Sequence, residues 1–387
     1  MNSILRSMKP YPMDELIKAK EHLKRVGKKI YDFGTGDPKE PTAPFIREAV
    51  KSAIPEVSQY PTVKGRKDLR EAISFWLKRR FEVDVDSEKE IIPSAGSKEA
   101  IFHFPLVFID VESDKKRVIF GTPAYPVYER GTLFAQGIPT PYTLKYEEGF
   151  LLRLDKIPEE ILKETRIVWL NYPHNPTGAT APLSYFADMY QICKEYDIIM
   201  CSDECYTEIY FEEKPPSALQ VGKKNVVVFH SLSKRSGMTG YRSGFVAGDS
   251  GIIQEYLRFR SSFGVGSPEF IQMGAREAWK DETHVEERRS IFRKKKEIFE
   301  RFFKEEGFEF LDVKASFYFW VKVPFGLSSK DYALHLLKYG IVVSPGEFFG
   351  SGGEGFFRIA LVPSVDECEE AVKVWREANS EIARRKS

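Results

Sequence analysis

The sequence predicts an α/β protein in which a mostly parallel sheet is followed by a smaller α+β unit. Three observations predict it. Short apolar runs alternate with amphipathic stretches through the middle of the chain. A polar, turn-rich segment follows one such run after another. The pattern then changes character around residues 250–285. With 387 residues, 42% of them hydrophobic, the chain is long enough for a sizeable core.

Taken in order, the first 42 residues read as an arm plus a helix ("MDELIKAKEHLKRVGKK") and are assigned to the smaller unit. "PSAGSKEAI" (93–101) is a small-residue turn that opens a helix. "RVIFG" (117–121), "IVWLN" (167–171), "IIMCSD" (198–203), "VVVFHS" (226–231) and "SGFVAG" (243–248) are nearly continuous in apolar or small residues. Strands covered on both faces of a sheet read this way. "LSYFADMYQICKEYD" (183–197) is a helix between two of them. Only a loop separates "VVVFHS" from "GFVAG", so those two strands are expected as hairpin neighbours. Beyond the change of character lies a long helix, "DETHVEERRSIFRKKKEIFERFFKEEG", with a Phe/Ile stripe. Strands at "FYFWVKV" (317–323), "GIVVSPG" (340–346) and "FFRIALV" (356–362) complete the smaller unit. The expected division is 1–42 with 279–387 as the small domain, and 43–278 as the large one.

Bulk properties narrow the function. The formal net charge is +1, without the basic excess of a nucleic-acid binder. No apolar run approaches ~20 residues, so no membrane partner is expected. The start lacks the layout of a signal peptide. Four cysteines in this length make no disulfide framework. Cys201 and Cys205 bracket "SDE" near Cys193, but no pair with metal spacing follows, so buried thiols and no metal are expected. A cytoplasmic setting follows. Five Asn and six Gln among abundant Lys, Arg and Glu suggest a thermophilic source.

Ligands of parallel sheets collect at the carboxyl ends of the strands. After "IVWL" comes "NYPHNPTG" (171–178); after "IIMCS" comes "DECY" (203–206); after "VVVFH" comes "SLSK" (231–234). Each alone is an ordinary feature: a turn, a helix cap, a solvated lysine. At successive strand ends they bring an Asn, an Asp, a Tyr, a Lys and several hydroxyls to one edge. Pyridoxal phosphate chemistry needs this set. A lysine amine bonds the cofactor aldehyde. A carboxylate keeps the pyridine nitrogen protonated. Hydroxyls, backbone N–H groups and an arginine hold the phosphate. The lysine segment "SLSKRSGMTGYRSG" is not a P-loop, since G-x-x-x-x-G-K-[ST] occurs nowhere.

These residues resemble the class I/II, fold-type I aminotransferases. The resemblance runs from "FGTGDP" (33–38) through "YPTVKGRKDLREAI" (60–73), "AGSKEAI", "PAYPVY" (123–128), "NPTG", "DECYTEIY" and "SLSKRSGMTGYRSGF" to "FRIAL". The lysine motif, S-x-S-K with Arg eight residues later and Gly two after that, matches in full. The resemblance implies a large domain with a mostly parallel seven-stranded sheet, a homodimer with shared active sites, and pyridoxal 5'-phosphate as cofactor. It implies that Lys234 is the cofactor lysine, that Asp203 pairs with the ring nitrogen, and that Tyr206 and Asn175 bond the phenolate oxygen. Tyr125 would stack on the ring. Ser231, Ser233 and Arg242, with Gly96, Ser97 and Lys98, would hold the phosphate, and Tyr60 would reach the neighbouring subunit's phosphate. Arg358 would take the substrate α-carboxylate, helped by Asn175 and Gly36. An inward arginine in the apolar setting "FFRIAL" needs an anion in any case.

Within the family, "DECYTEIY", "SLSKRSGMTGYRSGFVAGD" and "GSPEFIQMGAREAWKDETHVEE" resemble the N-succinyl-LL-diaminopimelate aminotransferases of lysine synthesis. An aspartate or general acidic amino acid aminotransferase is the alternative, and in either case Lys64, Arg66 and Lys98 are candidates for a second substrate carboxylate. A lyase using the same cofactor would keep every residue named. A nicotinamide enzyme is disfavoured, because "GSGGEG" (350–355) precedes a strand instead of opening a helix after one.

Overall fold

The computed structural model describes residues 3–7, 13–263 and 266–386. Residues 1–2 and 8–12 of the expected arm lie outside the described residues. Twelve strands form among the described residues: β1 (Tyr31–Asp32), β2 (Ile91–Ser94), β3 (Arg117–Thr122), β4 (Ile138–Thr143), β5 (Thr165–Asn171), β6 (Ile199–Asp203), β7 (Val226–Ser231), β8 (Gly244–Gly248), β9 (Tyr318–Lys322), β10 (Ile341–Val342), β11 (Ser344–Pro345) and β12 (Phe356–Ala360).

The large sheet has seven strands in the order β2-β8-β7-β6-β5-β3-β4. β8 runs antiparallel to both neighbours, while the pairs from β7 to β4 are parallel. β6, β7 and β8 are buried at every position, which is why they read as unbroken apolar runs. β7 and β8 are adjacent and antiparallel, as the short link between them requires. Apolar clusters cover both faces. One includes Trp76, Phe186 and Trp279, and the other Phe104, Trp169 and Phe229.

A third cluster is built from Tyr31 and Phe33 together with residues of the C-terminal third, including Phe299, Phe303, Phe357 and Trp375. It packs around the antiparallel sheet β11-β12-β9. β1 pairs with β10, so residues 31–32 are stitched into this C-terminal body. We propose the large and small units on this basis. The helix Glu269–Lys280 runs two residues past the expected boundary at 278, and the next helix, Thr283–Glu305, belongs to the small unit.

Two elements differ from expectation. "GIVVSPG" is two short strands in different sheets, since β10 pairs with β1 and β11 with β12. β4, "IPTPYT", contains two prolines and was not legible as a strand. It sits at the sheet edge, where the missing N–H groups face no partner.

The helix Lys67–Phe81 places Trp76, fully buried, against β7 and β8. Its ring lies 5.1 Å from that of His230, 6.1 Å from Phe245, 4.6 Å from Trp279 and 5.5 Å from Phe81. Trp76→Ala removes the centre of this aromatic packing beneath the β7 carboxyl end. A loss of about 3–5 kcal/mol is expected, read as a lower denaturation midpoint at unchanged m-value.

Candidate active site

The register of the large sheet decides which residues meet. Asn171 pairs with Asp203 and Asp203 with Phe229, while Ser231 pairs with Gly244 and Gly244 with Ser94. The segments that follow these positions therefore converge on one edge. Lys234 ends up there in a four-residue helix, Leu232–Arg235. A helix that short cannot hold itself. Ser231 caps it, accepting from the Ser233 N–H at 3.1 Å.

Stronger anchors follow the lysine. Arg235 is buried and donates to the Ala278 carbonyl at 2.6 Å, the Asp281 carbonyl at 3.2 Å and the Glu282 carboxylate at 2.7 Å. Its guanidinium also lies 4.8 Å from the Trp279 ring centroid. Ser236 Oγ bonds His284 Nε2 at 2.8 Å, and Gly237 O accepts from Thr42 Oγ1 at 2.6 Å. The lysine loop is thus fastened to residues 278–284 and to residue 42, which flank the proposed large unit.

The Lys234 amine donates to the Gly36 carbonyl and lies 5.9 Å from the Phe317 ring centroid. Burial is the main cause that pulls its pKa down to about 8. Asp37 and Cys205 oppose the shift, and Arg358 and Arg242 add to it.

Asp203 is buried at the end of β6. It accepts from Tyr128 Oη at 2.8 Å and from the Cys205 N–H at 3.3 Å. Its pKa is nevertheless raised, because desolvation outweighs these bonds. Among the described residues no ion pair to it is formed. Tyr206, also buried, meets the Tyr318 hydroxyl at 3.2 Å. Tyr125 is half-buried and sits edge-on to Tyr128, ring centroids 6.0 Å apart.

A group of cations sits at the start of the helix Ser97–Phe108. Lys98 has its pKa lowered by desolvation and then by the nearby charges of Arg242 and Arg130. Like charges gather this way around a place meant for an anion. Gly96 has φ +81°, and a Cβ there would lie 2.5 Å from Arg242 Nη2. The glycine therefore lets the guanidinium close on the helix start. Ser97 Oγ accepts from the Cys205 thiol at 3.0 Å.

Arg358, buried on β12, donates to Asn175 Oδ1 and to the Gly34 carbonyl, both at 2.8 Å. Its guanidinium lies between the rings of Tyr318 at 4.5 Å and Phe349 at 4.7 Å. Asn175 is held in turn by Asn171 Oδ1, which accepts from its N–H at 2.9 Å.

The structure thus brings together Lys234, Asp203, Tyr206, Asn175, Arg358, Gly36, Gly96, Ser97, Lys98, Tyr125, Ser231, Ser233 and Arg242. Tyr60 stands apart and is fully exposed. Two of the three candidates for a second carboxylate are engaged elsewhere: Lys64 on Glu88 at 2.7 Å, and Arg66 on Asp68 at 3.0 Å and Glu269 at 3.2 Å. Sequence reasoning missed Tyr128, Tyr318, the Gly34 carbonyl and the placement of Cys205 in the site. A tyrosine inside the apolar strand "FYFWVKV" was the one available signal, because a buried hydroxyl needs a partner. No cluster suited to a metal occurs among the described residues, and no described helix is long and apolar enough to cross a membrane.

A bound pyridoxal phosphate fits these residues. A buried carboxylate without an ion pair suits a protonated ring nitrogen, and the grouped cations at a glycine-opened helix start suit a phosphate.

The family model for aminotransferase class I and II matches residues 28–374. An LL-diaminopimelate aminotransferase of Aquifex aeolicus is 40% identical over 376 residues, covering 95% of this chain and 96% of that protein. LL-diaminopimelate aminotransferase 2 of Trichormus variabilis is 38% identical, covering 97% of each. The crystal structure of an aminotransferase from Neisseria meningitidis aligns with a TM-score of 0.89 at 34% identity, covering 98% of this chain and all of that one.

A buried amine that titrates early has a direct signature. In the cofactor-free protein, Lys234 is protonated and inert to an acylating reagent below about pH 8 and reactive above it. Exposed lysines keep midpoints near ~10.4. Peptide mass mapping of labelling against pH measures this, and a Lys234 midpoint above pH 10 contradicts the burial.

Proposed function

This chain belongs to the class I and II aminotransferases and is a pyridoxal-phosphate-dependent transaminase, and from that premise we propose that it exchanges an amino group between LL-diaminopimelate and a 2-oxo acid. The carrying observation for the chemistry is the convergence of the Lys234 amine and the buried Asp203 on Cys205, with the Arg358 charge acting on the same amine. Support for the donor comes from relatives of 37–40% identity over nearly the full chain that bear the LL-diaminopimelate name. Those names carry the free diamino acid, not the N-succinyl form that the sequence motifs suggested.

When bound, pyridoxal phosphate supplies an electron sink that makes the α-proton of the amino acid acidic. The protein does the rest. Arg358, steadied by Asn175 and Gly34, takes the α-carboxylate in a two-point fork. Lys234 Nζ, whose burial makes the neutral amine easier to reach, takes the α-proton and returns it. Asp203, kept in place by Tyr128 and Cys205, would hold the protonated ring nitrogen. Tyr206 and Asn175 would serve the phenolate oxygen, and Tyr125 would cover the ring. Gly96, Ser97, Lys98, Ser231, Ser233 and Arg242 would hold the phosphate. The aromatic walls of Phe317, Tyr318 and Phe349 keep water away from the reacting carbon.

The active unit in this reading is a homodimer. Tyr60 points into solvent, and Ile54 and Val57 beside it in sequence are 60% and 73% exposed. A second copy covers that apolar segment and receives the Tyr60 hydroxyl at its phosphate.

Three outcomes are expected. Lys234→Ala keeps the folded circular dichroism spectrum but lowers kcat at least ~1,000-fold; wild-type turnover would remove Lys234 from the reaction. Arg358→Leu raises the amino acid KM by about 100-fold with little change in cofactor affinity, and equal loss of cofactor would mean a structural role. In single-turnover titrations, LL-diaminopimelate bleaches the bound-cofactor absorbance more efficiently than aspartate, glutamate or N-succinyl-LL-diaminopimelate. Faster bleaching by aspartate or the succinylated compound reassigns the donor, and release of pyruvate or ammonia reassigns the reaction as a lyase.

A further inference from the structure

Resting on the reading that Tyr206 serves the cofactor's phenolate oxygen, we propose that Tyr318 is a positioning residue of this site. Its hydroxyl fixes the direction of the Tyr206 proton, and its ring carries the Arg358 guanidinium.

The two hydroxyls are 3.2 Å apart, and the two rings meet edge-on with centroids 5.4 Å apart at 71°. Both side chains are buried, Tyr318 at 2% exposure. A phenol has one proton to give. Tyr206 can donate to a phenolate oxygen only if that proton points away from Tyr318. Tyr318 is then the donor in the pair and Tyr206 the acceptor. Accepting a hydrogen bond polarises the Tyr206 O–H and makes it a stronger donor in a site of low polarity. Without Tyr318, the Tyr206 oxygen would be left buried with an unused lone pair.

The same ring lies 4.5 Å from Arg358 Cζ. A desolvated guanidinium over a tyrosine face is held by the ring's quadrupole. The contact sets the plane in which the fork presents itself to a carboxylate. Tyr318 stands opposite Ala360 in the β9–β12 ladder, two residues from Arg358 along that strand. Tyr206 follows β6 of the large sheet. The hydroxyl pair therefore bridges the two units at the point where both ends of the substrate chemistry meet. Space has been left for it: a Cβ on Gly36 would lie 2.5 Å from Tyr318 Oη. The carbonyl of that glycine also receives the Lys234 amine. One glycine thus touches both the lysine and the tyrosine that steers its neighbour.

The test is a spectral pH titration of the resting holoenzyme, with steady-state kinetics alongside, for Tyr318→Phe, Tyr318→Leu and Tyr206→Phe. Removing a donor leaves more negative charge on the phenolate oxygen, which holds the neighbouring proton more tightly, so midpoints rise. Tyr206→Phe is expected to raise the midpoint by about one pH unit or more, and Tyr318→Phe by about half as much, with KM unchanged. Tyr318→Leu is expected to add a roughly tenfold rise in amino acid KM. A wild-type midpoint in Tyr318→Phe, with Tyr206→Phe shifted, overturns the hydroxyl role. Equal KM in the Phe and Leu variants overturns the ring role. An unmoved midpoint in Tyr206→Phe overturns the reading of Tyr206 itself, and this inference with it.

Discussion

The placement of the Lys234 amine inside the seam between two units, beside the Gly36 carbonyl, is the constraint on which the site depends. It requires a flexible side chain to stay out of water, and desolvation of the amine works against that. The fold answers by fixing the backbone instead of the side chain. Arg235 is spent wholly on this task. Its guanidinium ties the lysine loop to Ala278, Asp281 and Glu282, under the tryptophans at 76 and 279. Arg235 is itself fully buried, so loss of these acceptors would leave its charge desolvated without compensation. The amine is therefore positioned through its backbone, by an anchor one residue further along the chain.

The same seam separates the charges that the reaction needs. On the large-sheet side, Asp203 is buried with two neutral donors, and its pKa rises. Lys98 crowds near Arg242 and Arg130, and its pKa falls. On the small-unit side, Arg358 is buried between two rings. Asp203 and Lys98 both carry a desolvation cost, and in the proposed reading a ring nitrogen and a phosphate would relieve it, while Arg358 would meet a carboxylate. Sites commonly hold such local costs against the stability of the surrounding core. Here that core is three aromatic-rich clusters, two on the sheet and one in the small unit.

Much of this was legible because parallel strands announce themselves and leave their ends in order. Lys234, Asp203 and Asn175 follow buried apolar runs, so sheet geometry alone brings them to one edge. The β7–β8 neighbourhood followed from the shortness of the link. What failed to show was whatever depends on contacts between distant segments. β4 hides behind its prolines, which only an edge position tolerates. Residues 340–346 divide between two sheets because their pairing partners, β1 and β12, lie at opposite ends of the chain. Tyr128 and Tyr318 look like core aromatics until the fold sets their hydroxyls against Asp203 and Tyr206. Lys64 and Arg66 looked available for substrate until Glu88, Asp68 and Glu269 were seen beside them. The donor was the least legible feature, since motif likeness pointed to a succinylated compound that the relatives' names do not carry.

The most direct measurement of the central claim is to reduce the holoenzyme with borohydride, which makes the cofactor–protein bond permanent, and to map the modified peptide by mass. The account predicts the added cofactor mass on Lys234 alone. Modification of Lys98 or of any other lysine, with Lys234 unmodified, would contradict it.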